Sequence, residues 1–167
     1  GVGCLAGLIS AWIVARIPEP RLPTRADKAI GLIAQLRSPF RDRNFAQLIV
    51  FLGAWQFAIN FATPFFTVYL VRQLGYDMTI VMGLSITSQL ANAFMLRSWG
   101  RLADRFSNKS ALLVAAPAYI LCIAAMAGAS QITHESARLI WLAALHILMG
   151  AAVAGVTLAT ANLALKL

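Results

Sequence analysis

The sequence WGRLADRFSNKS, residues 99–110, lies between two long runs without a charged residue, 78–96 and 111–129. A helix of about 20 apolar residues is long enough to cross the ~30 Å hydrocarbon layer of a membrane, and each run is close to that length. The pattern therefore predicts two transmembrane helices joined by a short charged connection. The charged side chains of the connection are Arg101, Asp104, Arg105 and Lys109.

The composition of the whole chain also indicates a membrane protein. The sequence is 60% hydrophobic and 12% charged, with a mean hydropathy of +0.74, whereas soluble domains carry about 25% charged residues. No segment alternates polar and apolar residues over about 10 positions, as the strands of a membrane barrel do. We therefore predict an all-α polytopic membrane protein. Its complete transmembrane helices are expected at 47–70, 78–96, 111–129 and 139–163.

The first part of the chain differs from the rest. Residues 1–15 are apolar but short, and no basic region precedes them and no small-residue cleavage site precedes Arg16, so they do not resemble a signal peptide. We interpret them as a truncated transmembrane helix and expect the chain to be an internal piece of a larger membrane protein. Residues 16–46 begin with a proline-rich stretch and continue with an amphipathic pattern over 24–36. This combination predicts a tether between two helical bundles.

Basic residues predict the orientation of the spans. All but three of the 14 Lys and Arg residues lie in the connections 16–46 and 97–110, while 71–77 and 130–138 hold one each. The positive-inside rule then places 16–46, 97–110 and the C-terminus in the cytoplasm, and we expect a multi-pass protein of the bacterial inner (plasma) membrane. Because the basic residues lie in these connections, they do not indicate nucleic-acid binding. Trp12, Trp99 and Trp141 lie near span ends, where indole rings favour the headgroup layer.

Polar side chains inside the apolar runs predict which spans face water, because each costs free energy unless it is paired or hydrated. At about 100° per residue, those of 47–70 fall within an arc of about 60°, and 78–96 and 139–163 have similar stripes. Span 111–129 has no amide or imidazole, so we expect it to pack outside, against lipid. The alternative is that these groups join helices by hydrogen bonds worth roughly 0.6 kcal/mol each. The substrate-cavity candidates are Gln56, Asn60, Gln89, Asn92 and His146.

Two other features are expected to shape the helices. Pro64 is a candidate hinge, because it cannot donate to the carbonyl of Asn60 one turn earlier, and this predicts a kink and a free backbone acceptor in the middle of the span. Small residues in the last span predict a face that packs closely against another helix. These residues are Gly150, Ala151, Ala154 and Gly155.

The connection 99–110 also predicts a cytoplasmic gate. Gly100 permits a sharp exit from the preceding span. Asp104 lies where its carboxylate can face the next helix N-terminus or accept hydrogen bonds from arginines. Such a cluster can hold helix ends together and release them when they separate. Ordinary orienting charge is the alternative, but it leaves Gly100 and Asp104 unexplained. The gating candidates are Gly100, Asp104, Arg105 and Lys109.

The spacing of these residues resembles the signature loop of the major facilitator superfamily. The sequence departs from the family pattern at Ser107, where glycine is usual, and at Asn108, where a basic residue is usual. The resemblance implies part of a twelve-helix bundle, in which two six-helix halves are joined by a long cytoplasmic loop. Residues 1–15 would then end the N-terminal half, 16–46 would be the inter-half loop, and 47–167 would be a partial C-terminal half with helices seven to ten.

The resemblance also implies a function, that of a secondary transporter that moves a small solute by alternating access. In the family, helices seven, eight and ten border the central cavity and helix nine packs outside, which agrees with the polar faces. The implied partners are the lipid bilayer, a small-molecule substrate and a coupling ion, H+ or Na+, bound mainly by the missing half. We expect no cofactor, no metal site and no nucleic acid. A non-transporting membrane sensor or scaffold stays open, whereas an enzyme is disfavoured because no HExxH or GxSxG occurs.

Overall fold

The computed structural model describes residues 2–16 and 42–166, and these residues are helical without β-strands. The predicted tether, including its amphipathic pattern over 24–36, lies outside them. Helix α1 belongs to one compact unit, 1–35, and the other helices to a second, 36–167. The helices are α1 (Val2–Ala15), α2 (Arg43–Val68), α3 (Met78–Arg105), α4 (Asn108–Ala127) and α5 (Glu135–Lys166).

Helix α1 ends with a contact that suits a membrane boundary. The guanidinium carbon of Arg16 lies 3.7 Å from the centre of the Trp12 ring, and the ring itself is exposed. A cation over an indole face is favourable, and both groups prefer the interfacial layer. The place of Trp12 at the end of a membrane span stays a prediction.

Helix α2 begins at an N-cap and passes through Pro64 without a break. The carboxylate of Asp42 accepts hydrogen bonds from the main-chain nitrogens of Asn44 at 2.7 Å and Phe45 at 3.3 Å, which satisfies two of the free N–H groups of the first turn. The helical path continues into one π-helical stretch, Tyr69–Gln73. This π-helical stretch begins several residues after Pro64. The role of Pro64 as a hinge stays a prediction.

Helix α3 is longer than the predicted span. It begins after Asp77, whose carboxylate accepts from Thr79 N at 2.9 Å, and it continues to Arg105. The expectation of a charged loop from 97 to 110 is therefore wrong, because the connection to α4 consists only of Phe106 and Ser107. Arg, Leu and Ala are strong helix formers, so the helix does not stop where its apolar run stops.

Helix α5 is the centre of the second unit and packs along both α3 and α4. At the end away from the charged motif, a core cluster contains Leu70, Tyr76, Met126 and Leu142. At the other end, called the motif end here, Ala103, Ala111 and Ala159 are buried beside Trp99. Alanine contacts at this end allow the three helices to approach closely.

The four helices α2 to α5 have the length and composition of membrane spans. With their short π and 3-10 extensions they run Arg43–Gln73, Met78–Arg105, Asn108–Gln131 and Glu135–Leu165. Large apolar side chains cover their outer surfaces, for example Phe57, Phe94 and Ile140, each at least 70% exposed. A water-soluble domain does not present so much contiguous apolar surface. The chain is an integral, multi-pass, all-α membrane protein.

Candidate functional site

A polar cavity of about 310 Å³ lies between α2, α3 and α5, with one side chain from α4. It brings together four of the five predicted cavity residues from three different helices. Its volume is at the lower end of the ~300–1,000 Å³ typical of small-molecule sites. The predicted residues in its wall are Gln56, Gln89, Asn92 and His146, and the others include Trp55, Thr63, Ser85, Tyr119, Gly150 and Thr157.

Asn60 is the predicted residue that the structure does not place in this wall. Its side-chain nitrogen donates instead to the main-chain oxygen of Gln56 at 2.7 Å. On a helix with about 100° per residue, Asn60 lies about 40° to one side of Gln56, whereas Ile59 and Thr63 lie on the other side. The cavity faces the side of Ile59 and Thr63. The polar face predicted for span 47–70 was therefore rotated by part of a turn relative to the face that borders the cavity.

His146 lies in the cavity wall with a defined tautomer. Its Nδ1 is 2.8 Å from the main-chain oxygen of Leu142. A carbonyl oxygen can only accept, so Nδ1 carries a hydrogen, and in the neutral ring Nε2 keeps its lone pair. The ring is half-buried, and its helix already satisfies its one donor. His146 can therefore offer an acceptor to a solute in the cavity.

Hydroxyl groups of the wall also use their hydrogens within their own helices. Thr63 Oγ1 donates to the main-chain oxygen of Ile59 at 2.7 Å, and Ser85 Oγ donates to that of Val81 at 3.0 Å. Such bonds are ordinary for Ser and Thr inside helices. Each hydroxyl oxygen retains lone pairs, so these side chains can accept further hydrogen bonds.

An aromatic pair forms one wall of the cavity. The ring centres of Trp55 and Tyr119 are 5.2 Å apart, and the rings are tilted by 56°. Tyr119 belongs to α4, which we expected to face lipid throughout. The outer face of α4 agrees with that expectation, since Leu113 and Leu121 are exposed, but Tyr119 is buried and borders the cavity. The sequence could have indicated this position of Tyr119, because its phenol is a polar group in a span that has no amide side chain.

Two neighbouring cavities between α2 and α4 are apolar by contrast. They measure about 240 and 200 Å³ and are bordered by Phe51 and Ile120 in one case and by Phe65 and Met126 in the other. Trp55 and Tyr119 border both the larger apolar cavity and the polar one. The aromatic pair therefore separates a polar space from an apolar space.

Close backbone packing closes part of the polar cavity, as the small-residue pattern predicted. A methyl group at Gly150 would collide with the main-chain oxygen of Ser88, so α5 and α3 touch there through their backbones. A methyl group at Gly155 would lie 2.7 Å from the Trp99 ring and 2.8 Å from the Cβ of Ala115. These two glycines are close-packing positions, which small residues in membrane helices commonly provide.

The predicted gating residues lie at the motif end of the bundle. Gly100 is inside α3, and a side chain there would meet nothing within 4 Å, so the expected sharp exit at Gly100 is wrong. Asp104, Arg105 and Lys109 are exposed. Asp104 lies within the last turn of α3 rather than at the start of α4, and the guanidinium of Arg105 lies 5.4 Å from the Phe106 ring.

Uncharged contacts hold the motif end together instead. Nε1 of Trp99 donates to the main-chain oxygen of Ala151 at 2.7 Å, so this indole packs between α3 and α5. Nδ2 of Asn162 donates to Oδ1 of Asn108 at 3.2 Å, and Asn108 is buried. Asn108 thus joins the start of α4 to the end of α5 with a neutral bond at a position where the family pattern has a basic residue.

Over residues 2–16 and 42–166, no group of three or more His, Cys, Asp or Glu side chains could hold a metal ion. The sequence model of the Major Facilitator Superfamily matches residues 1–166. No curated protein and no solved structure matches the chain significantly. A match over nearly the full length agrees with the four helices long enough to span a membrane and with the motif that ends α3 and begins α4. The chain therefore belongs to the major facilitator superfamily of membrane transporters.

Proposed function

We propose that this chain is part of a secondary active transporter, in which the polar cavity belongs to the pathway of a small solute. Residues 1–15 would end the N-terminal half of the transporter, 16–46 would connect the halves, and 47–167 would belong to the C-terminal half. The two halves would rock about the bound solute in alternating access. The coupling ion, H+ or Na+, would bind mainly outside this chain, because no Asp or Glu borders the described cavity.

One observation carries this proposal. Polar side chains from α2, α3 and α5 converge on one cavity, although each of these helices is long and apolar enough to span a membrane. Groups that only joined helices would be satisfied by a neighbouring helix. In this wall the hydrogens of Thr63, Ser85 and His146 Nδ1 are instead bonded within their own helices, so their remaining lone pairs can accept from a solute.

Water access to the cavity tests the proposal in the full-length protein. Single cysteines at Gln89 and Asn92, in a background with Cys4 and Cys122 replaced by alanine, are labelled in membrane vesicles with a membrane-impermeant thiol reagent. We expect labelling of both positions, and we expect the labelled side to change when the transporter is trapped in its opposite state. A matched control is cysteine at Phe94, which is exposed on the outer surface of the same helix.

The outcomes separate a pathway from a sealed polar core. Reactive cysteines at positions 89 and 92 together with an unreactive one at position 94 support the pathway. Unreactive cysteines at 89 and 92 from both sides of the membrane would contradict it. Thiol labelling is suitable because it requires no knowledge of the transported solute.

The gating role of the motif is part of the same proposal. Asp104 and Arg105 end α3, and Lys109 lies in the first turn of α4, so these charges can contact another half of the transporter as it closes. The motif end and the C-terminus are proposed to face the cytoplasm of a bacterial cell. Asp104→Asn should then increase labelling at position 92 from the motif side, whereas Asp42→Asn, which changes a carboxylate at the start of α2, should not.

A further inference from the structure

We propose that Tyr119 makes α4 a wall of the solute pathway. Its hydroxyl group faces the polar cavity as a hydrogen-bond donor, and its ring, together with Trp55, seals that cavity from the apolar space between α2 and α4. The inference rests on the proposed transport function and adds a residue from the helix that we expected to face lipid. It follows from the burial of Tyr119, from the hydrogen bonds of the other wall residues, and from the two cavities that the aromatic pair borders.

Tyr119 lies on the inner face of α4. From Ala111 onward, the buried residues of this helix recur every three or four positions, which is the period of one helical face. Tyr119 is only 7% exposed within this chain, and any further helices of the transporter can only add to that burial. Its ring therefore does not belong to the apolar surface that α4 presents outward. The residues of the inner face are Ala111, Ala115, Tyr119, Cys122 and Met126.

The three tyrosines of the chain differ in what surrounds their hydroxyl groups. Tyr76 Oη accepts a hydrogen bond from Arg138 Nε at 3.0 Å, and Tyr69 Oη is buried without a partner among the described residues. Tyr119 instead borders the polar cavity, as His146 does. A buried phenol usually directs its hydroxyl group to a polar partner or to water. The polar cavity is the space beside Tyr119 that offers both.

The hydroxyl group of Tyr119 complements the acceptors of the wall. The hydrogens of Thr63, Ser85 and His146 Nδ1 are bonded to main-chain oxygens of their own helices, at 2.7, 3.0 and 2.8 Å. These side chains can therefore present lone pairs to the cavity, whereas a phenol can donate its hydrogen and still accept. Helix α4 thus adds a donor. A water molecule or solute that accepts from Tyr119 can donate to the lone pairs of the other helices.

The ring of Tyr119 has a second role, which it shares with Trp55. The two ring centres are 5.2 Å apart at a tilt of 56°, and both residues border the polar cavity of about 310 Å³ and the apolar cavity of about 240 Å³. Water needs at least two polar partners to occupy a cavity, and side chains such as Ile120 and Ile123 border the apolar space. The two rings therefore keep the water of the pathway from spreading between α2 and α4.

A cysteine in the apolar cavity tests the seal in the full-length protein. Ile123→Cys, in the cysteine-free background described above, places a thiol in the wall of that cavity. We expect a membrane-impermeant thiol reagent to leave it unlabelled while Tyr119 is present. After Tyr119→Ala, it should be labelled at a rate similar to that of cysteine at position 92. Tyr119→Phe keeps the ring and should keep position 123 unlabelled. Leu121→Ala, on the exposed outer face of the same helix, is the matched control.

A second variant tests the seal from another helix. Trp55→Ala removes the other ring and should also expose position 123, so the result does not depend on the stability of one variant. Cysteine at position 94, on the outer surface of α3, should stay unlabelled in both variants if they remain folded in the membrane. Labelling of position 123 with both rings in place, or no labelling after removal of either ring, would overturn the seal.

Fluorine NMR tests the hydroxyl group without removing the ring. 3-Fluorotyrosine at position 119 of the full-length protein carries its fluorine next to the hydroxyl group, and exchange of H₂O for D₂O shifts the resonance where water is in contact. We expect a shift at position 119 and none at position 69, whose hydroxyl group is buried. No shift at position 119, or an equal shift at both positions, would show that the hydroxyl group of Tyr119 does not face the aqueous cavity.

Failure of this inference is distinguishable from failure of the transport proposal. Labelling of cysteine at position 92 reports whether water reaches the cavity, and it does not require Tyr119. If position 92 is labelled but positions 119 and 123 do not respond as expected, the pathway stands and the role of Tyr119 is wrong. If position 92 is not labelled from either side, the pathway itself is wrong and this inference falls with it.

Discussion

The indole nitrogen of Trp99 donates a hydrogen bond to the main-chain oxygen of Ala151, and the two atoms are 2.7 Å apart. The ring can approach the backbone of α5 because Gly155, one turn later, has no side chain. Ala151 itself directly follows Gly150, which borders the polar cavity. The contact therefore joins the part of α3 next to the proposed gating motif to the part of α5 that forms the cavity wall, so we expect these segments to move together.

A side chain at Gly155 should separate them. Gly155→Ala adds a methyl group within 3 Å of the Trp99 ring and the Cβ of Ala115, and overpacking of this kind costs about 1–3 kcal/mol. Thermal unfolding of the purified protein in detergent would measure the loss. The matched control is Gly83→Ala, where nothing lies within 4 Å, and it should be neutral or stabilising by up to about 1 kcal/mol. Equal effects of the two substitutions would contradict the close contact.

The hydrogen bond of Trp99 can be tested separately from its packing. Trp99→Phe retains an aromatic ring and removes the N–H donor, and it should lower the free energy of unfolding by about 1 kcal/mol. Trp141→Phe is the comparison, because its N–H···O contact with Ala125 is longer, at 3.3 Å, and its ring is more exposed. Chemical denaturation should show a smaller loss for Trp141→Phe. A larger loss at position 141 than at 99 would be evidence against the role of Trp99.

Apolar runs without charge were sufficient to predict the four spans and their order. In lipid, every backbone N–H and C=O group must be hydrogen-bonded within the protein, and an α-helix satisfies this requirement within a single segment. The ends were not predictable in the same way. Hydropathy indicates which part of a helix is apolar enough for lipid, and α3 continues for about two turns beyond its apolar run because the residues there still favour a helix. For the same reason, Gly100 and Asp104 were expected in a loop.

The cavity was predicted in part. Helical angles placed Gln56, Gln89 and His146 on polar faces, and these faces do converge. The angles give the relative direction of residues on one helix but not the rotation of that helix against its neighbours, which depends on close contacts such as Gly150 with Ser88. Because this rotation was not known, Asn60 was expected in the cavity wall but lies outside it, and Tyr119 was expected against lipid but borders the cavity.

Ser107 is in a backbone conformation that favours glycine. Its φ is 155° and its ψ is 160°, a region that residues with a side chain occupy at a cost of about 1–3 kcal/mol. Ser107→Gly should therefore stabilise the protein by about 1 kcal/mol. The gain is reduced by a few tenths for the lost cap, in which Ser107 Oγ accepts from Ser110 N at 3.1 Å. Thermal unfolding would measure the difference.

Ser107→Ala is the control for this experiment. It removes the same capping oxygen but retains the unfavourable conformation, so it should destabilise the protein. If glycine and alanine at this position have the same effect, the backbone of Ser107 is not strained.

The stability of the first turn of α3 should decrease at acidic pH. Hydrogen bonds from the hydroxyl and the main-chain N–H of Thr79 lower the pKa of Asp77 below its ordinary value of 3.8. The ionised carboxylate therefore stabilises the folded helix start above that value, and the contribution is lost as the pH falls through the lowered pKa. Hydrogen exchange of the amide of Thr79 should accelerate relative to an unstructured peptide as the pH falls below the ordinary carboxyl pKa of 3.8 and through the lowered pKa of Asp77.

Asp77→Asn separates this carboxylate from other acid effects. Asparagine is an equally good N-cap but does not titrate, so protection of the Thr79 amide should be independent of pH over the same interval. A variant that loses protection in parallel with the original protein would show that another group is responsible.

Gly150 limits how the transporter can diverge. At this position the wall of the cavity is backbone against backbone, and any side chain would push α5 away from the oxygen of Ser88. In the proposed pathway, a change of solute by substitution would arise on the walls away from this contact, at positions such as 56 and 119, while the contact itself persists. Variants selected for a new solute should accordingly retain glycine at position 150.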